Sequence, residues 1–188
     1  VPLALCSLAS FGTLFVASVM YLVRRTSAWD ALGHSVAEVG LLLLSLTIVT
    51  GPIWAKAVWN TWWNWEPLLT TTVILWLMAI AYLMLRSYAP AGQRSFRLSA
   101  VLGSFAGLTA PFVYFAVELF GRLLHPAKLV GPARSADSTI AASIGITLFV
   151  AIVAIATLSV CLVRERYLLR RSEDEVESLY ARVLQTSD

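Results

Sequence analysis

Apolar residues dominate five stretches of the chain, at roughly 3-23, 36-55, 68-86, 98-118 and 139-163, and charged residues collect between them. Each stretch is about 20 residues long, the length a helix needs to cross the hydrocarbon core of a bilayer. The runs show neither the strict alternation of a half-buried strand nor charges on one face of a soluble helix. Inside lipid every backbone N–H and C=O must be bonded within its own segment, so runs of this length are predicted to be α-helices. The expected fold is all-α: a polytopic transmembrane helix bundle with five spans in residues 1-165. Residues 166-188 form a charged tail in which Leu168, Leu169, Val176, Leu179, Tyr180 and Val183 recur at near-helical spacing. That spacing predicts an amphipathic cytoplasmic helix lying along the membrane or against a partner.

Composition agrees with the pattern. Of 188 residues, 59% are hydrophobic and 13% charged, with a mean hydropathy of +0.76, far from an ordinary soluble domain. The positions of the charges add orientation. Arg24, Arg25, Arg86, Arg94, Arg97, Arg164, Arg166, Arg170, Arg171 and Arg182 fall on one side of the predicted membrane, against Lys56, Arg122, Lys128 and Arg134 on the other. By the positive-inside rule the tail is cytoplasmic, and the 56-67 and 119-138 connectors are external. The net charge of +3 is spread over topogenic loops rather than gathered in a patch, so no nucleic-acid partner is expected. Cys6 and Cys161 lie singly within apolar runs, without Cys-x-x-Cys spacing, and read as small buried hydrophobes.

Four of the seven tryptophans crowd into one external stretch, Trp59-Asn60-Thr61-Trp62-Trp63-Asn64-Trp65-Glu66-Pro67. An aromatic belt accounts for one or two tryptophans at each helix end. Four in seven residues exceed that need and suggest a platform for a large planar ligand, since indole rings supply stacking and apolar contact in bulk. Glu66 places a negative charge at the start of the next helix, where the macrodipole favours it, or fixes the loop by accepting N–H bonds.

This stretch, with Thr50-Gly51-Pro52 before it and Thr70-Thr71-Thr72 after it, resembles the tryptophan-rich "WWD" segment of the haem-handling proteins of cytochrome c maturation, most closely the CcmC family. The resemblance extends from residue 1 to about 165. Val117-Glu118 followed by Leu124-His125 is similar to a Val-Glu segment leading to a ligand histidine, though Leu119 and Phe120 stand where the family has tryptophans. Glu66 replaces the usual aspartate and Leu68 a common arginine, which removes one candidate partner for a haem propionate. Lys56, Arg122 and Lys128 are external cations available in its place, with an ordinary loop or snorkelling charge as the alternative reading of each.

The resemblance implies haem b held at the outer face of a bacterial cytoplasmic (inner) membrane, in contact with Trp59, Trp62, Trp63, Trp65, Glu66 and Glu118. It also implies His125 as an axial ligand to the iron, as imidazole is a strong haem ligand. A second ligand histidine is expected immediately upstream of Val1, together with a sixth span. The implied role is a haem-binding and transfer subunit rather than an enzyme. Its implied partners are a periplasmic haem chaperone, ABC transporter subunits, a small membrane helper subunit and the lipid bilayer. A CcsA-type cytochrome c synthase, which shares the tryptophan segment, and a haem-free scaffold are the alternatives.

Two further polar groups lie on the opposite side of the predicted membrane. His34, beside the 24-30 connector on the opposite side, reads as a solvated or cap-forming interfacial histidine. Glu38 reads as a carboxylate that snorkels to the inner surface. The sequence carries no nucleotide-binding loop, no nucleophile with an oriented base and no metal-ligand cluster.

Overall fold

The computed structural model describes residues 1–88, 93–120 and 142–186, and these form five helices: α1 (Pro2–Arg24), α2 (Ser27–Trp59), α3 (Pro67–Tyr88), α4 (Gln93–Phe120) and α5 (Ala142–Thr186). All five are long and apolar enough to cross a membrane. The helices outrun the predicted spans because polar residues at their ends continue the backbone ladder into water. At a rise of 1.5 Å per residue, α2 with its 33 residues is roughly 50 Å long and α5 with 45 is roughly 68 Å, both beyond the ~30 Å hydrocarbon core. Two boundaries move as a result. Asp30 and His34, expected in or beside a connector, lie within α2, and α5 runs unbroken through residue 165 to include the predicted tail helix.

Side-chain contacts fix the direction of each helix. Trp76 Nε1 donates to Ser45 Oγ at 2.8 Å and Arg86 grips Asp30, so α3 runs antiparallel to α2. Thr109 meets Met78 and Gly103 meets Tyr82, so α4 returns against α3. Arg166 and Arg170 reach Glu38 and His34, so α5 returns against α2. One end of the bundle therefore gathers the α1–α2 and α3–α4 junctions with the far half of α5. The other gathers the α2–α3 connector and the last turn of α4. We call these the arginine end and the tryptophan end.

The core forms where α1, α2, α3 and α4 meet, around Phe11, Leu14, Leu44, Leu75, Tyr82 and Ala106. Between α1 and α4 the backbones come unusually close. A Cβ on Gly107 would lie 2.7 Å from the Phe11 carbonyl oxygen and 2.5 Å from Phe15 Cβ, and one on Gly103 would lie 2.5 Å from Ser18 Oγ. Gly103 and Gly107 are four residues apart on one face of α4, the small-residue spacing that lets membrane helices approach and gain van der Waals contact without help from water. The hydroxyls of Ser10, Ser35 and Ser99 are buried without cost because each donates to a carbonyl of its own helix.

Away from that core the bundle presents apolar side chains outward, among them Leu42, Leu77, Phe105, Phe149 and Val160. A water-facing surface of this kind would be a liability, whereas lipid covers it without penalty. Cys6 is buried as expected, but Cys161 is exposed on this outer face, because α5 packs only a narrow stripe against α1 and α2.

Candidate functional site

The tryptophan end is built from the last turns of α2, the 60–66 connector and the start of α3. Trp59 is the final residue of α2 rather than part of the connector. Asn60 stops the helix by turning left-handed (φ 56°, ψ 21°), a conformation asparagine tolerates better than most residues. Lys56 holds that turn: its Nζ donates to Asn60 Oδ1 at 2.8 Å and to the Asn60 carbonyl at 3.2 Å. The ammonium is thereby committed to the helix C-terminus, where a cation is favoured. On the other side, Pro67 opens α3 with its ring pre-set for the first turn, and the Glu66 carbonyl accepts the Thr70 N–H at 2.9 Å.

The rings divide into two pairs. Trp54 meets Trp59 edge to face at 4.9 Å between centroids, and Trp63 meets Trp65 likewise at 5.7 Å. Both have the T-shaped geometry that the ring quadrupole prefers. Within the connector the exposures differ sharply. Trp62 and Trp65 are 60% and 72% exposed, whereas Trp63 is partly buried, and its Nε1 is fully covered with no hydrogen-bond partner among the described residues. Glu66 is only 3% exposed, so it is not a solvated helix-start charge but a carboxylate packed into the base of the connector. The connector is thus pinned by Trp63 and Glu66 and offers the faces of Trp62 and Trp65 outward. Trp54, one and a half turns before Trp59 on α2 and 53% exposed, extends this surface. The predicted 36-55 run contains Trp54, but only the continuation of the helix to Trp59 brings those two rings together.

Of the other predicted site residues, Glu118 lies near the end of α4, at the tryptophan end of the bundle. His125, with Arg122 and Lys128, falls outside the described residues.

The arginine end differs from expectation. His34 is 6% exposed, so it is neither solvated nor a cap. Its Nε2 lies 3.2 Å from Glu38 Oε1 and 2.8 Å from an Arg170 guanidinium nitrogen, and Arg166 Nε lies 3.5 Å from Glu38 Oε2. Glu38 does not simply snorkel; it is engaged by groups from two helices. Beside it, Arg86 Nη1 and Nη2 donate to the two Asp30 oxygens at 2.8 and 2.7 Å, and the guanidinium sits 4.8 Å from the Phe96 ring centre. No group of three or more His, Cys, Asp or Glu side chains suited to a metal ion occurs among the described residues.

An antiparallel bundle of five membrane-length helices, with an indole-rich connector displayed at one end and ion pairs closing the other, is a polytopic membrane protein with an exposed aromatic platform. Its sequence matches the family profile of heme exporter protein C (CcmC) over residues 1–180, and the chain belongs to that family. Heme exporter protein C of Bradyrhizobium diazoefficiens is 30% identical over 162 residues, covering 86% of this chain and 60% of that protein. The Haemophilus influenzae protein of the same name is 26% identical over 183 residues, covering 97% and 73%. The cytochrome c biogenesis protein CcsA of Prochlorococcus marinus is 37% identical over 105 residues, covering 55% of this chain and 31% of that protein. The chain thus spans well under the full length of the curated relatives it matches.

Proposed function

We propose that this chain is a haem-handling membrane subunit of cytochrome c maturation, with haem as its cargo at the tryptophan end. The observation that carries this reading is the outward display of Trp62 and Trp65 on a connector anchored by buried neighbours. Aromatic rings meant only for anchoring need no such fixed support, whereas a planar apolar ligand is best met by rings already held in place.

In this reading Trp59, Trp62, Trp63 and Trp65 contact haem b, Glu66 secures the connector, and Glu118 lies close by on α4. His125, on the chain that follows α4, supplies an axial imidazole. Lys56 is not counted among the propionate partners, because Asn60 occupies it. The cargo passes to a haem chaperone outside the membrane, with an ABC transporter and a small helper subunit as the assembly in which the chain works. Relatives named as heme exporter protein C and as cytochrome c biogenesis proteins support this assignment.

Haem titration tests the ligand assignment. His125→Ala is expected to shift the Soret band of the haem-loaded protein and weaken haem retention, because the iron loses a strong-field nitrogen. An unchanged spectrum would remove His125 from the site.

The same reading places the tryptophan end outside the cytoplasmic membrane, by the ten-to-four split of basic residues. With Cys6 and Cys161 replaced by serine, a cysteine at Asn64 should react with an impermeant thiol reagent added to intact cells. A cysteine at Ser178 should react only after the membrane is opened. The reverse pattern would invert the orientation.

A further inference from the structure

The arginine end contains a proton-dependent contradiction that the haem reading does not use. His34 Nε2 approaches two groups at once: Arg170 Nη2 at 2.8 Å, from α5, and Glu38 Oε1 at 3.2 Å, one turn along its own helix. A guanidinium only donates hydrogen bonds, and an ionised carboxylate only accepts them. One ring nitrogen carries either a lone pair or a proton. With the lone pair, Nε2 accepts from Arg170 and the ring proton resides on Nδ1. With a proton, Nε2 donates to Glu38, and an imidazolium faces a guanidinium at a distance where like charges repel strongly.

We propose that His34 is a proton-operated latch for the far half of α5: neutral, it docks Arg170 onto α2, and protonated, it turns to Glu38 and releases that half. The proton is taken up from solvent at the arginine end by Nε2, while Nδ1 keeps the one it had. What moves is the stretch from about residue 164 onward, the part of α5 that continues past the apolar run with Leu168, Leu169, Val176 and Leu179 exposed.

Three features of the surroundings favour a latch over a static ion pair. First, α5 is peripheral, packing among the described residues on α1 and α2, so a few contacts decide where its far half lies. Second, the second tie, Arg166 to Glu38 at 3.5 Å, is long and its arginine is 58% exposed, so water screens it. Protonated His34 weakens it further by partly neutralising Glu38. Third, Arg170 has an alternative partner already in place, Glu173 at 3.0 Å on its own helix, so release leaves no bare charge.

The other charged and titratable groups around His34 do not oppose the switch. On α2 and α3, Asp30 and Arg86 close on each other with two hydrogen bonds, so their charges largely cancel. Tyr82 on α3 and Tyr21 on α1 are buried phenols and carry no charge near neutral pH, and Arg97 of α4 lies in the field of Tyr21. The trigger is the proton on Nε2 itself, since that one atom faces a donor-only guanidinium and an acceptor-only carboxylate. The sign follows directly: docking is favoured on the alkaline side and lost on the acid side.

Spin labels at Thr26 and Ser178, both exposed, report the distance between the α1–α2 junction and the far half of α5. The full chain is used, with serine at Cys6 and Cys161, in lipid nanodiscs. Wild type should give a narrow distance distribution at about pH 8 and lose about threefold or more of that population at about pH 5.5. His34→Gln, whose amide oxygen still accepts from Arg170 but does not titrate here, should stay docked at both values. Arg170→Met should be released at both. Histidine-selective ¹⁵N NMR at about pH 8, assigned with His34→Gln, should show the Nδ1–H tautomer. A wild-type distribution that ignores pH, a pH response that survives in His34→Gln, or an Nε2–H tautomer on the alkaline side would each overturn the latch.

Discussion

Replacing Trp62 and Trp65 together with leucine should leave the bundle intact and weaken haem binding by about 5-fold to 150-fold. Each well-placed aromatic contact contributes about 0.5–1.5 kcal/mol beyond the area it covers, and two such contacts convert to that range of affinity. Folding should change little, because both rings are more than half exposed, at 60% and 72%, and surface substitutions rarely exceed about 0.5 kcal/mol. Trp63 is the wrong choice for this experiment. Its partly buried ring and covered Nε1 make Trp63→Leu a change of connector structure as well as of ligand contact. Absorbance titration with haem in nanodiscs, paired with a thermal melt, separates the two effects. Wild-type affinity in the double variant would reduce the tryptophans to a membrane anchor and remove the platform.

The wild-type protein discriminates among the neighbouring readings. A haem-free scaffold would show no haem band even in wild type. A synthase of the CcsA type would attach haem covalently to an apocytochrome peptide without partners, and the match to CcsA proteins over 105 residues makes that assay worth running alongside.

Arg86→Met should cost about 3–5 kcal/mol of stability, the largest structural effect expected from a single change in this chain. The guanidinium is 6% exposed and bonds both oxygens of Asp30, whose side chain is 15% exposed. Removing it strands a carboxylate in a poorly solvated place and loses the contact with Phe96. The pair itself need not be strongly stabilising, since desolvating two charges offsets much of their attraction. The double variant Asp30→Asn with Arg86→Met should therefore recover most of the loss. Denaturant unfolding of wild type and these two variants measures it. A loss below about 1 kcal/mol in Arg86→Met would mean that water reaches Asp30 and that the junction is open.

Much of the architecture was legible because membrane-spanning helices announce themselves by length and apolarity alone. Runs predicted at 3-23, 68-86 and 98-118 became Pro2–Arg24, Pro67–Tyr88 and Gln93–Phe120, lengthened by the polar ends that hydropathy does not score. The greater misreading was at α2. Arg24 through Asp30 looked like a connector by polarity, yet only Arg25 and Thr26 break the helix, with Arg25 turning left-handed at φ 53°. Asp30 and His34 were then available to face other helices. The close approach at Gly103 and Gly107 came only from the structure, since glycine carries no mark of what approaches it.

The sequence by itself determined that the described residues form five helices long and apolar enough to span a membrane, and that the indole chemistry concentrates at one junction, since each of these follows from local composition. It also placed the chain's family, through the tryptophan segment. Only the tertiary structure decided which tryptophans face outward and which one is covered, because four adjacent rings of one type differ only in what packs beneath them. Only the structure paired Asp30 with Arg86 and His34 with Arg170, separated by 56 and 136 residues along the chain. No periodicity links such distant positions; they meet because antiparallel helices of fixed rise bring their ends to the same depth, where a charge left unpaired is expensive.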